Sequence, residues 1–272
     1  MAETSFEISG SCGPIRGEAY RPANPEGTVV ICHGFKGFAH YAFFPRLARE
    51  LANASLTAIT FDFSGSGIGA DRENFTAPER FFQNTIGKEL DDLDRVIAHA
   101  RSQQWMEGRF GLLGHSRGGG TAILHAAADD RVAALVTWAA ISHVNRWPPE
   151  IAAEWRRCGF TEIENSRTHQ VFKLGTELLD ETERLGGTKL DIEAAASRIG
   201  VPWLILHGRG DEAVPATEAE RLHKASRAQS TLRIVEGNHG FNGKHPLTEV
   251  PPALRVVTGE TVSFFTRHLG AK

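Results

Sequence analysis

The chain has 272 residues, 41% of them hydrophobic and 23% charged, with a formal net charge of -3. That length can bury the core of one α/β domain with an insertion, and the charge argues against a general nucleic-acid binder or a polybasic membrane anchor. The three cysteines, Cys12, Cys32 and Cys158, show neither a metal spacing nor a disulfide framework, which suits a reducing compartment.

Met1 to Glu7 lacks a basic region followed by an apolar one, and no apolar run is long enough to span a bilayer, so a cytoplasmic protein is expected. Phe6–Ser9 and Ile15–Tyr20 alternate around a Gly/Pro turn and predict an antiparallel hairpin at a sheet edge. Thr28–Cys32 is a β-branched run expected as a strand buried on both faces. Phe44, Leu47, Ala48 and Leu51 recur at helical spacing within 43–52, with Pro45 tolerable in the first turn. A strand is expected over 56–63 and a polar loop over 71–84. A long helix should follow, with Ile86, Leu90, Leu93, Ile97 and Ala100 on its apolar face and Glu89, Asp91, Asp92 and Arg95 elsewhere.

Phe110–Leu113 reads as a strand and Thr121–Ala128 as a helix, with Gly114-His115-Ser116-Arg117-Gly118 between them. Strand, sharp turn and helix are the context in which G-x-S-x-G forms a nucleophile elbow. Another buried strand is expected at 132–138. The alternation of strand and helix then breaks over 142–190: Arg146-Trp-Pro-Pro149 is a breaker, Ile151–Arg157 a short helix, and 160–165 with 169–174 a hairpin turning at Ser166–Thr168. A segment this long without the βα rhythm is expected to be an insertion covering a site. The rhythm resumes with a strand at 201–206, a helix at 216–226, a strand at 231–235 and a terminal helix at 254–269 turning Val257, Phe264, Phe265 and Leu269 inward. The expected architecture is α/β: a mainly parallel sheet flanked by helices, with ligands at the carboxyl ends of its strands.

Four loops at strand ends carry complementary chemistry. Ser116 is the candidate nucleophile, and a serine hydroxyl needs a base to take its proton. His239, in Glu236-Gly-Asn-His-Gly240, is the candidate base, with His245 as its decoy among 12 histidines. Asp211, directly after Gly208-Arg-Gly210, is the candidate that orients the imidazole, with Glu212 as competitor. The backbone N–H groups of Phe35, in His33-Gly-Phe35, and of Arg117 are the candidate oxyanion donors. Trp147, Trp155, Phe160 and Phe172 either wall the pocket or pack the insertion onto the body, and His40-Tyr41 is a candidate for the pocket mouth.

With His33-Gly-Phe-Lys-Gly37, Gly114-His-Ser-Arg-Gly-Gly119, Gly208-Arg-Gly-Asp211 and Asn238-His-Gly240 in place, the chain resembles the α/β-hydrolase-fold serine hydrolases over nearly its whole length. The resemblance implies one domain over 1–272, an eight-stranded sheet, a small lid within 142–190 and a triad of Ser116, His239 and Asp211. More finely, the chain resembles single-domain esterases near the dienelactone hydrolase and feruloyl (cinnamoyl) esterase group, whose lid would correspond to Trp155–Asp180. Dienelactone hydrolases proper usually use cysteine, so the serine counts against that activity, and a serine instead of aspartate argues against dehalogenase or epoxide hydrolase chemistry. The expected activity is cofactor-independent and metal-independent cleavage of a small carboxylic ester through an acyl-enzyme, with no nucleic-acid or membrane partner. Oligomeric state is open, a homodimer being one option. An aminopeptidase or oligopeptidase would need acidic groups such as Glu150, Glu154, Glu162 or Glu164 at the site. A thioesterase shares the motifs, and a non-catalytic binder on the same fold is the remote alternative.

Overall fold

The computed structural model describes residues 1–165, 169–226 and 230–270. The expected hairpin turn at Ser166–Thr168 lies outside the described residues.

The edge hairpin pairs β1 (Ala2–Ser9) with β2 (Pro14–Arg21) antiparallel. Next come β3 (Gly27–Cys32), α1 (Phe44–Asn53), β4 (Leu56–Asp62), the short α2 (Pro78–Phe82) and α3 (Ile86–Ser102). β5 (Phe110–His115) leads directly to α4 (Arg117–Ala126), then β6 (Val132–Trp138). The insertion holds α5 (Pro149–Cys158), an antiparallel pair of β7 (Phe160–Glu164) and β8 (Val171–Gly175), and α6 (Thr176–Leu185). After it follow α7 (Ile192–Ala196), β9 (Trp203–Gly208), α8 (Ala216–Ala225), β10 (Ser230–Val235) and α9 (Pro252–Leu269).

The main sheet has eight strands in the order β1-β2-β4-β3-β5-β6-β9-β10. The six from β4 to β10 run parallel, and β2 joins them antiparallel to β4. Its central strands are apolar on both faces because helices cover both. Alternation along β3 shows this: Val30 and Cys32 enter one core with α3 and α4, while Val29 and Ile31 enter the other with α1 and α9. Phe44, Leu47, Ala48 and Leu51 of α1 are fully buried there, as their spacing requires, each larger side chain contributing about 1.5–3 kcal/mol of transfer free energy. Among the described residues no helix is long and apolar enough to cross a membrane.

Three details depart from the sequence-based expectation. The polar stretch 71–84 contains α2, the insertion contains α6, and α7 follows it. On α9, Val257 and Phe265 are buried as expected, whereas Phe264 and Leu269 are only half-buried. On α3, Glu89 and Asp92 are buried with the apolar residues at 4% and 1% exposure, and Leu90 is only half-buried. Buried carboxylates must be satisfied, and both are. Asp92 accepts from the Ser11 and Ser64 amides, each at 2.8 Å, and from the Ser64 hydroxyl at 2.7 Å. Glu89 accepts from Arg117, Thr121 and Asn84.

The insertion is fastened to α3 at its amino end. Thr85 Oγ1 accepts from the Lys88 amide at 3.3 Å. The Glu181 carboxylate of α6 accepts from the Ile86 amide at 2.8 Å, the Gly87 amide at 3.1 Å and the Thr85 hydroxyl at 3.0 Å. Glu181 thereby satisfies donors that a helix start leaves open and faces the positive end of the dipole.

Candidate active site

Ser116 sits between the last residue of β5 and the first of α4 with φ 57° and ψ -123°. This conformation costs a non-glycine residue about 1–3 kcal/mol. It is held by hydrogen bonds from the Ser116 amide to Trp138 O at 2.8 Å and from the Gly119 amide to Ser116 O at 3.0 Å. The flanking glycines are required by close approach. A Cβ on Gly114 would lie 2.2 Å from Gly118 O, and one on Gly118 would lie 2.2 Å from His33 O. The second contact is absent from any reading of the elbow alone, because it joins the elbow to the loop after β3.

Asp211 is the third residue after β9, and its side chain is fully enclosed. Oδ1 accepts from the amides of Ala213 and Val214, both at 2.9 Å. Oδ2 accepts from His239 Nδ1 at 2.7 Å and lies 3.3 Å from Nε2 of His207, which donates to Val214 O at 2.8 Å. Burial alone would raise this carboxyl, but hydrogen bonds from His207 and His239, reinforced by the Val214 amide, hold it well below the ordinary carboxylate range. With Nδ1–H of His239 committed to Asp211, Nε2 carries the lone pair that a base needs. Glu212 is exposed and stands outside this arrangement.

His239 is seated from below by His115. The two rings lie 4.7 Å apart, and His115 Nε2 donates to His239 O at 2.9 Å. Burial, with the neighbouring His239, pushes the His115 pKa down to about 3, so it stays neutral and fixed as a donor. His33 plays a similar part under the loop after β3. Its Nδ1–H donates to Gly34 O at 2.9 Å, its Nε2 accepts from the Phe63 amide at 3.0 Å, and burial lowers its pKa to about 4. In that loop the Gly37 amide returns to Gly34 O at 2.9 Å, placing Phe35 at the corner of a tight turn. Arg117 opens α4, so its N–H is among those without a partner inside the helix.

Ser116, His239, Phe35 and Arg117 line one cavity of about 610 Å³. Ile86, Ile141, Val144, Trp147 and Leu178 form its apolar side, and Lys36, Tyr41, Arg146 and Asn165 are its polar members. Arg146 is spent on Glu218, at 2.7 and 2.9 Å. Of the four insertion aromatics only Trp147 lines the cavity. Trp155 and Phe172 are fully buried packing residues, and the Phe160 ring lies under the Lys173 ammonium at 4.1 Å. Tyr41 reaches the cavity, whereas His40 is held between Glu18 and Glu73 at 3.1 and 3.2 Å. His245 turns away, accepting from the Ala42 amide at 3.0 Å. Sequence reasoning missed His115, His207 and Glu89, whose only signal was polarity inside or beside apolar runs. Among the described residues no group of three or more His, Cys, Asp or Glu is placed to hold a metal ion.

Comparison with known proteins places the chain among hydrolases. A family model described as Hydrolase_4, serine aminopeptidase, S33, matches residues 23–170, which is 148 of the 272 residues. A 31.7 kDa protein from the traX-finO intergenic region of Escherichia coli is 28% identical over 160 residues, covering 57% of this chain and 53% of its own. The 2,6-dihydropseudooxynicotine hydrolase of Paenarthrobacter nicotinovorans is 24% identical over 217 residues, covering 79% of this chain and 53% of its own. The matches thus span about half the length of these two relatives. Among solved structures, Est1E from Butyrivibrio proteoclasticus with ferulic acid bound superimposes with a TM-score of 0.71 at 22% identity, covering 97% of this chain and 98% of that one. At that identity the likeness shows the α/β-hydrolase fold.

Proposed function

The chain belongs to the Hydrolase_4 family of α/β-hydrolase-fold serine hydrolases, and from that premise we propose that it cleaves a small carboxylic ester through an acyl-enzyme on Ser116. The observation that carries this reading is the Asp211–His239 hydrogen bond of 2.7 Å at the wall of the cavity that Ser116 also lines. Asp211 holds His239 in the tautomer whose Nε2 can take the Ser116 proton as Oγ attacks the acyl carbon. The carbonyl electrons move onto oxygen, which the Phe35 and Arg117 amides receive. Collapse of the tetrahedral intermediate breaks the C–O bond, and His239 gives its proton to the leaving alcohol. Water then adds to the acyl-enzyme with His239 as base, and Ser116 leaves with the proton returned. None of these steps calls on a cofactor.

Residues 142–190 act in this reading as the lid of a single cytoplasmic domain. Val144, Trp147 and Leu178 bring an apolar wall over the site, suited to an acyl or aromatic group. The family's peptidase description makes an aminopeptidase the second reading. It is less well supported, because an amine-binding pocket needs a carboxylate. The cavity lining holds Lys36, Arg117 and Arg146 and, among the described residues, no Asp or Glu. Glu150, Glu154, Glu162 and Glu164 are all exposed outside it.

The test is hydrolysis of p-nitrophenyl esters of graded acyl length, a feruloyl ester, a thioester and an aminoacyl anilide by wild type and Ser116→Ala. Ester turnover that Ser116→Ala lowers by about 10⁴-fold or more supports the reading. Faster turnover of the anilide or the thioester would move the assignment to a peptidase or a thioesterase. No turnover, with no fluorophosphonate labelling of Ser116, would make the protein a binder.

A further inference from the structure

The Phe35 and Arg117 amides come from two loops separated by most of the sheet's first half in sequence, one after β3 and one after β5. Two donors that serve one oxygen must keep a fixed separation, because both have to lie about 2.7–3.1 Å from the same point. Backbone geometry fixes each loop to its own strand and packs Gly118 against His33 O, and the side chains add a second link between the loops. The Arg117 guanidinium lies over the Phe35 ring, 4.8 Å from its centroid. The ring also packs on Phe81, 5.1 Å away between centroids. The guanidinium is itself aimed by Glu89 of α3: Nη2 donates to Oε1 at 2.7 Å and Nε donates to Oε2 at 3.2 Å. Glu89 is then held by Asn84 Nδ2, donating to Oε1 at 3.0 Å, and by the Thr121 hydroxyl, donating to Oε2 at 3.2 Å.

We propose that the Glu89–Arg117 ion pair, with the Phe35 ring stacked on the guanidinium, is a positioning clasp that sets the two oxyanion-hole amides relative to each other. This deepens the serine hydrolase reading and rests on it. Glu89 is a positioning residue, since it reaches the reacting atoms only through Arg117. Both charges are buried, at 4% and 8% exposure. A buried pair of this kind gives little stability that an apolar pair of similar volume would not. Its distinctive property is directional: two parallel hydrogen bonds fix the plane of the guanidinium, and that plane fixes where the Phe35 ring can rest. Because the pair is neutral overall, it orients the site without adding net charge beside the developing oxyanion.

The experiment compares wild type with Arg117→Met, Glu89→Gln, Phe35→Leu and the double variant Glu89→Met/Arg117→Met. For each, kcat and KM are measured on a p-nitrophenyl ester and on the matching thionoester, whose sulfur is larger and accepts hydrogen bonds poorly. The clasp requires kcat to fall about 10- to 100-fold with KM little changed, and the ester-to-thionoester rate ratio to fall with it. A purely structural ion pair would lower the melting temperature and leave that ratio alone. The double variant leaves no stranded charge, and Phe35→Leu touches none, so at least one folded protein lacking the clasp is available. A folded variant with kcat within twofold of wild type and an unchanged ratio overturns the proposal. Ser116→Ala run beside them separates the two levels. If it hydrolyses the ester like wild type, the hydrolase reading fails; if it is inert while the clasp variants keep the ratio, only the clasp fails.

Discussion

Replacing Gly118 with alanine sets two opposed effects against each other. Gly118 is the second residue of α4 and buried, and alanine in a helix is favoured over glycine by about 1 kcal/mol. Propensity alone therefore predicts a more stable protein. Against it, the new Cβ would stand 2.2 Å from His33 O and 2.7 Å from Cys32 O. Both obstacles are backbone atoms at the end of a central strand paired to β4 and β5, so no rotamer can relieve them. Restoring even the shortest tolerated contact of 3.0 Å requires α4 and the end of β3 to part by at least 0.8 Å. Overpacking against rigid backbone belongs at the upper end of the usual range, about 3 kcal/mol. After the helix gain, Gly118→Ala should lose about 2 kcal/mol of stability. The same displacement moves the Phe35 amide relative to Ser116 and Arg117, and an error of nearly 1 Å in a reacting geometry costs about 10²-fold in rate. Urea unfolding monitored by tryptophan fluorescence and kcat/KM on a p-nitrophenyl ester read the two effects separately. A variant as stable as wild type, with activity within threefold, would refute the claim that the elbow and the oxyanion loop are packed into contact.

Two further outcomes follow from the buried histidines and the carboxylate. His33 and His115 stay neutral in the fold down to about 4 and about 3, whereas unfolded histidine titrates near 6.5. At these two sites the unfolded chain therefore binds more protons below pH 6.5, so their contribution to stability is full above that pH and falls as pH drops, by about 1.4 kcal/mol per unit for each histidine. Urea unfolding between pH 6 and 4.5 should show roughly half of that slope removed in His115→Asn, and an unchanged slope would count against it. Asp211→Asn places an amide where Oδ2 accepts from His239, favours the wrong imidazole tautomer and should lower kcat by about 10⁴-fold. It should also remove the share of stability that wild type loses below about pH 4, the ordinary carboxylate range, since a depressed carboxyl stabilises above its unfolded pKa. Less than a tenfold loss of rate in Asp211→Asn would show that His239 is oriented by something else.

What could be read from the chain was what its chemistry makes local. Gly114 announces a sharp turn because its Cβ would meet the turn's own Gly118 O. Gly208-Arg-Gly-Asp211 and Asn238-His-Gly240 announce themselves as loops at strand ends, and the structure brings Asp211 and His239 to hydrogen-bonding distance. The long apolar periods of α1 and β3 to β6 were equally plain. The five-residue helices α2 and α7 were not, because so short a segment holds little more than one helical turn. α6 escaped for a different reason: its Leu178 and Leu179 face inward among charges that have partners elsewhere, Lys88 for Glu177 and Arg156 for Asp180. Periodicity sets Glu89 and Asp92 off the apolar face because it records polarity and carries no information about a partner 28 residues away. The cavity wall was hidden for the same reason, since Ile86, Val144 and Leu178 meet only after the insertion has folded back.

The carboxylate of Glu181 at the head of α3 has a consequence for the order in which the molecule can be completed. The amides of Ile86 and Gly87 find their acceptor 95 and 94 residues further along the chain. As the protein emerges from the ribosome, amino end first, β3 can pair with β4 and Asp92 of α3 can meet Ser11 and Ser64 while the later chain is still unmade. The first turn of α3 cannot be closed in its final form until α6 has been made and docked. That turn carries Ile86 on the cavity wall and lies one turn before Glu89. The pocket wall at Ile86 therefore waits on α6, and the site waits further on Asp211 and His239, which follow α6 in the chain.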